Sequence, residues 1–91
     1  MGTAALKIKL MPESPDVDLE KIKEQAKILA TKHNKVLVHS IEEEEIAFGL
    51  KAIIITLVWP EELDQSLIED EYAKIPEVNS VQIIDFRRVV G

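Results

Sequence analysis

Catalysis needs nucleophiles, bases or metal ligands at workable spacings, and this chain offers few. It has two histidines and no cysteine. Disulfides, thiolate metal sites and cysteine nucleophiles are therefore excluded. His33 falls near a predicted helix end and His39 on a predicted strand. Neither has a ligand partner at a recognisable spacing, so both read as surface or edge residues. Ser14, Ser40 and Ser66 have no base motif beside them, which argues against a Ser–His hydrolase. The acidic run Glu42–Glu45 has charge enough for a hard cation. Calcium loops, however, alternate their ligands around a tight turn. The run reads instead as a solvated, self-repelling stretch. No catalytic residue, metal site or cofactor is expected.

Two features suit contact rather than catalysis. Gly49 is the only glycine away from the termini, and Phe48 precedes it. A glycine there fits a positive φ or a bulge leading into a strand. Phe48 then either folds back onto the core or projects as an apolar anchor for a partner. The second feature is Arg87-Arg88, which follows Phe86 near the C-terminus. Adjacent strand residues face opposite sides, so only one arginine can point along a given surface. The pair either protects an edge strand by charge or delivers a cation to an anionic site on a partner.

The elements that must carry these residues follow from hydrophobic period. Leu6, Ile8 and Leu10 alternate with Lys7 and Lys9, a strand with one buried face that Pro12 and Pro15 end. Leu19, Ile22, Ala26 and Leu29 form one apolar stripe, predicting a helix over about 18–32, with Asp16 or Asp18 capping it. Asn34 suits the turn that follows. Lys35–Ile41 is rich in β-branched residues and reads as a strand. Leu50–Trp59 is apolar on both faces, which places it inside a sheet. Glu61–Lys74 begins with acids and carries Ile68, Tyr72 and Ile75 at helical spacing, with Leu63 and Leu67 extending the stripe. Val81–Val90 closes the chain as a strand, with Val81 and Ile83 on one face and Ile84 and Phe86 on the other.

The order β-α-β-β-α-β fits an α+β, ferredoxin-like sandwich. Its four antiparallel strands would lie in the order 4-1-3-2, with both helices on one face. A chain of 91 residues suits a single domain, 1–91. Seventeen acids against 11 bases give a net charge of −6, which disfavours a broad phosphate-binding surface. Direct nucleic-acid binding is not expected. An RNA-recognition domain shares the topology, but Leu50, Ala52 and Ile54 offer no stacking rings. An acylphosphatase-like enzyme also shares it, and would want a basic, glycine-rich phosphate cradle. The longest near-apolar stretch falls far short of the ~20 residues that span a bilayer. The chain is therefore expected in the cytoplasm and not in a membrane.

Three segments carry a family resemblance. They are Lys7–Leu19 (KIKLMPESPDVDL), Ile46–Ala52 (IAFGLKA), and Val78-Asn79-Ser80-Val81 leading to Asp85-Phe86-Arg87-Arg88. Together they resemble the elongation factor 1-beta family in its short archaeal form. The resemblance implies the ferredoxin-like sandwich and a guanine-nucleotide exchange factor acting on elongation factor 1-alpha. It further implies that an aromatic before a glycine, in the loop between strands 2 and 3, contacts that partner; Phe48-Gly49 matches. It also implies that a basic residue near the C-terminus enters the partner's magnesium and phosphate region. Counted from Val78, that position falls on Arg88, where eukaryotic relatives carry Lys; Arg87 is the alternative.

The partner-binding set expected is thus Phe48, Gly49, Arg87 and Arg88. The predicted sheet puts the strand 2–strand 3 loop and the end of strand 4 at opposite ends, so Phe48 and Arg88 must grip separate regions, the domain acting as a wedge. A small-metabolite-binding regulatory domain of the same fold is the alternative function.

Overall fold

A computed structural model describes residues 2–33 and 35–89. The elements run β1 (Thr3–Pro12), α1 (Leu19–Thr31), β2 (Leu37–Ala47), β3 (Leu50–Pro60), α2 (Ser66–Ala73) and β4 (Val78–Val89). The four strands pair antiparallel in the order β2-β3-β1-β4. That is the expected order read from the other edge, and the fold is the α+β arrangement of a ferredoxin-like sandwich.

The alternation in β1 decides where the core lies. Ala4, Leu6, Ile8 and Leu10 are all buried. They pair across to Trp59, Leu57, Ile55 and Ile53 of β3, which are buried too. On this face α1 lays down Ile22, Ala26 and Ala30, and α2 lays down Ile68 and Tyr72. Burying each large aliphatic side chain contributes about 1.5–3 kcal/mol. The two large aromatics in the core keep their polar atoms satisfied. The Tyr72 hydroxyl donates to the Ala26 carbonyl at 3.0 Å, and the Trp59 indole N–H donates to the Leu63 carbonyl at 2.8 Å.

The other face of the sheet carries no helix, yet Ala52 and Ile54 of β3 are buried there. The cross-strand neighbours of Ile54 are Lys9 and Glu42. Long charged side chains cover apolar surface with their stems while their heads stay in water. An interior strand is thus apolar on both faces, as the composition of Leu50–Trp59 requires.

Several boundaries depart from the sequence-based expectation. β2 runs on through the acidic residues to Ala47 rather than stopping at Ile41. Pleating sends Glu42 and Glu44 to one face and Glu43 and Glu45 to the other, which separates like charges. Glu43 is then within 2.6 Å of Lys23 on α1. The second helix begins at Ser66, not at Glu61. The Asp64 carboxylate accepts from the Ser66 N–H at 2.9 Å, and the Trp59 indole holds the Leu63 carbonyl, so the preceding residues form turns. Leu67 is exposed and does not extend the stripe. Asp18, not Asp16, caps α1, accepting from the Glu20 N–H at 3.1 Å. The turn expected at Asn34 and the last expected strand residue, Val90, lie outside the described residues.

The largest difference lies in β4. A register shift falls between Lys7 and Ile8 of β1, where Lys7 faces Asp85 but Ile8 faces Ile83. Ile84 is the extra residue, a β-bulge. It breaks strict alternation, so Phe86 returns to the face of Val81 and Ile83 and stands opposite Leu6.

Candidate functional site

Ala47 pairs with Leu50, leaving Phe48 and Gly49 as the two-residue loop of the β2–β3 hairpin. Their φ angles are +54° and +80°. Two consecutive positive φ values define the primed turn that matches strand twist. Gly49 adopts this backbone at no steric cost. An added Cβ there would meet only Pro15, at an ordinary 3.7 Å, so the angle and not the space calls for glycine. Phe48 has no such licence, since an L-residue in this region pays for its Cβ. Its side chain is nevertheless 96% exposed, so packing does not repay that cost. A register shift between Glu45 and Ala47 sets Ile46 aside, and its side chain is exposed beside the turn. The hairpin end is therefore a strained, apolar tip.

The arginines stand at the far end of the sheet. Arg88 faces Ala4, which in turn faces Trp59, so Arg88 lies on the helix-bearing side. Arg87 faces Ala5 and lies on the open side. The bulge at Ile84 sets this assignment. Both side chains are 79% exposed and each meets one carboxylate through its Nε: Arg87 with Asp85 at 3.0 Å, Arg88 with Glu61 at 3.6 Å. From Leu50 to Trp59 the strand spans roughly 30 Å at ~3.3 Å per residue. The structure thus brings Phe48 and Gly49 together, separates them from the arginines by the length of the sheet, and turns the arginines to opposite faces.

Comparison with known proteins decides the family. The model of the EF-1 guanine nucleotide exchange domain matches residues 5–89. The chain belongs to this exchange-domain family.

Relatives align along nearly their whole length. Elongation factor 1-beta of Methanosarcina barkeri is 44% identical, over 98% of this chain and 100% of its own. Elongation factor 1-beta of Methanobrevibacter smithii is also 44% identical, over 99% and 100%. That of Methanocaldococcus jannaschii is 40% identical, over 93% and 96%. The exchange-domain match contains both ends of the sheet, the Phe48-Gly49 turn and the Arg87-Arg88 pair.

Two features of this family member escaped sequence reasoning. The first is Glu61 against Arg88, a contact that no local spacing encodes because β3 and β4 are brought there by the sheet. The second is a cluster at the helix ends. His33 is not a plain surface residue. Its Nε2 hydrogen-bonds the Glu71 carboxylate, and its ring stands edge-on to Trp59 with centroids 6.3 Å apart. Lys32 reaches the other carboxylate oxygen at 2.5 Å. Burial works against the charge on Glu71, but the Lys32 and His33 contacts outweigh it and hold its carboxyl below the ordinary range. The cluster ties α1 to α2. Among the described residues no group of three or more His, Cys, Asp or Glu is placed to hold a metal ion. Nor among the described residues is any helix long and apolar enough to cross a membrane.

Proposed function

We propose that this chain, as the single domain 1–91, promotes exchange of guanine nucleotide on elongation factor 1-alpha during translation. The observation that carries the reading is the exchange-domain match across residues 5–89. Relatives named elongation factor 1-beta support it over their full length. Phe48, at the tip of the β2–β3 hairpin, anchors one region of the GTPase, with Gly49 shaping the turn beneath it. Arg88, or Arg87 on the opposite face, meets the partner's magnesium and phosphate region at the other end. A guanidinium beside a magnesium site repels the ion, and loss of the ion removes the charge that holds the phosphates.

Exchange breaks no covalent bond, so its energetics are those of linkage. The factor speeds release only by binding the vacant GTPase more tightly than the GDP-bound form. Nucleotide must weaken the factor's binding by the same coupling free energy. GTP then reloads and ejects the factor.

Release of fluorescent GDP from elongation factor 1-alpha, with and without stoichiometric amounts of this protein, tests the reading. Accelerated release is expected. Unchanged release over the full range of concentrations refutes it.

A further inference from the structure

Glu61 is the acid that the fold brings to Arg88, and the two partners are held very differently. Glu61 directly follows Pro60, the last residue of β3. Its backbone N–H donates to the Gly2 carbonyl at 3.1 Å. Its carboxylate lies over Gly2 so closely that a Cβ there would come within 2.8 Å of Oε1. The Glu61 side chain is 28% exposed, that of Arg88 79%. Glu61 is packed in place, whereas Arg88 stands mostly in solvent with Glu61 as its charge partner. Their nearest approach runs through Arg88 Nε, at 3.6 Å from Oε1. That leaves the two terminal guanidinium nitrogens for another acceptor, in the geometry that suits phosphate or carboxylate.

Arg87 lacks this arrangement. Its carboxylate, Asp85, lies two residues back on the same exposed strand, so the contact joins Arg87 only to β4 itself. Glu61 instead links β4 to the end of β3 and to the start of β1. A long side chain that must be ordered on binding costs affinity, and prior ordering recovers part of it.

We infer that Glu61 is a positioning residue: its fixed carboxylate, 3.6 Å from Nε, draws Arg88 toward the end of β3 by charge and leaves the guanidinium's outer edge for the anionic site of the GTPase. The inference rests on the exchange reading above and identifies Arg88, rather than Arg87, as the arginine that acts.

The test measures fluorescent GDP release for the wild type, Glu61→Gln, Glu61→Asp, Arg88→Ala and the Glu61→Gln/Arg88→Ala double variant. Glu61→Gln is expected to slow exchange about two- to five-fold, the range of a partly exposed ion pair. Glu61→Asp keeps the charge but withdraws it by one methylene from a contact already at 3.6 Å, so it should slow exchange as Glu61→Gln does. In the Arg88→Ala background Glu61→Gln should have no further effect, since a residue acting through Arg88 has nothing left to place. Gly2→Ala is the second variant; it displaces the Glu61 carboxylate without removing it and should mimic Glu61→Gln in both backgrounds. An equal slowing by Glu61→Gln with and without Arg88, or wild-type rates in both Glu61→Gln and Gly2→Ala, overturns the inference while leaving the exchange reading intact. A silent Arg88→Ala overturns the inference and the arginine's assigned role, and exchange itself is then judged from the wild-type rate alone.

Discussion

The role proposed for Phe48 sets function against stability at a single position. Its backbone sits at φ +54° and its ring is almost wholly in water, so the folded domain gains little from it. Asparagine tolerates that angle, and Asn-Gly is the preferred pair for a primed two-residue turn. Phe48→Asn should therefore stabilise the domain by about 1 kcal/mol, or roughly 4–8 °C in midpoint for a chain this size. The same change should slow GDP release about 30-fold or more if the ring is a binding hot spot. A thermal melt and an exchange assay on one preparation check both halves. This residue was legible in the sequence because a lone interior glycine marks a special backbone and an aromatic beside it demands a reason. The contacts of Glu61 were not legible, because Gly2 and Arg88 lie far from it along the chain.

At the level of elements, β1, α1 and β3 could be read from their periods, since one buried face or two leaves a plain pattern. Boundaries failed where a polar contact overrode the pattern. The acidic run read as a solvated stretch beyond the strand because adjacent carboxylates repel, yet the pleat sorts them onto two faces and Lys23 takes one. The bulge at Ile84 could not be read at all, because an extra apolar residue in an apolar strand leaves no mark. The helices are joined by the Glu71 cluster, which should contribute to the acid sensitivity of the fold. Glu71 is held below its ordinary value of 4.5, as is Glu43 through its hydrogen bond to Lys23. Below about that pH the unfolded chain takes up protons that the native carboxylates resist, so stability present at neutral pH is lost as the pH falls through the folded values. Glu71→Gln should weaken the domain at pH 7 and flatten this acid limb. Urea titrations at several pH values, followed by emission of Trp59, the only tryptophan, would show it. An unchanged slope would place the acid sensitivity elsewhere.

The whole molecule is long for its mass, with extents of 42 × 21 × 18 Å. Its two candidate contact points sit at the two ends of that long axis, where one pocket cannot hold both. Sites so far apart should act independently. Phe48→Ala and Arg88→Ala together should therefore slow exchange by the product of their separate factors, the arginine's share being about 10–100-fold. A double variant no slower than the worse single one would mean that the two ends serve one step and must engage together. Topology and the remoteness of the ends followed from element order alone, whereas the face on which each arginine emerges depended on the bulge.

β2 has a further consequence through its place at the border of the sheet. An unpaired strand is a template on which foreign chains can stack, and unshielded ones seed fibrils. Here the free border carries successive glutamates on both sides of the pleat. A second copy of β2 laid alongside would bring its own acids against these. The border next to the exposed Phe48 tip is thereby guarded by charge against pairing with a second copy of itself.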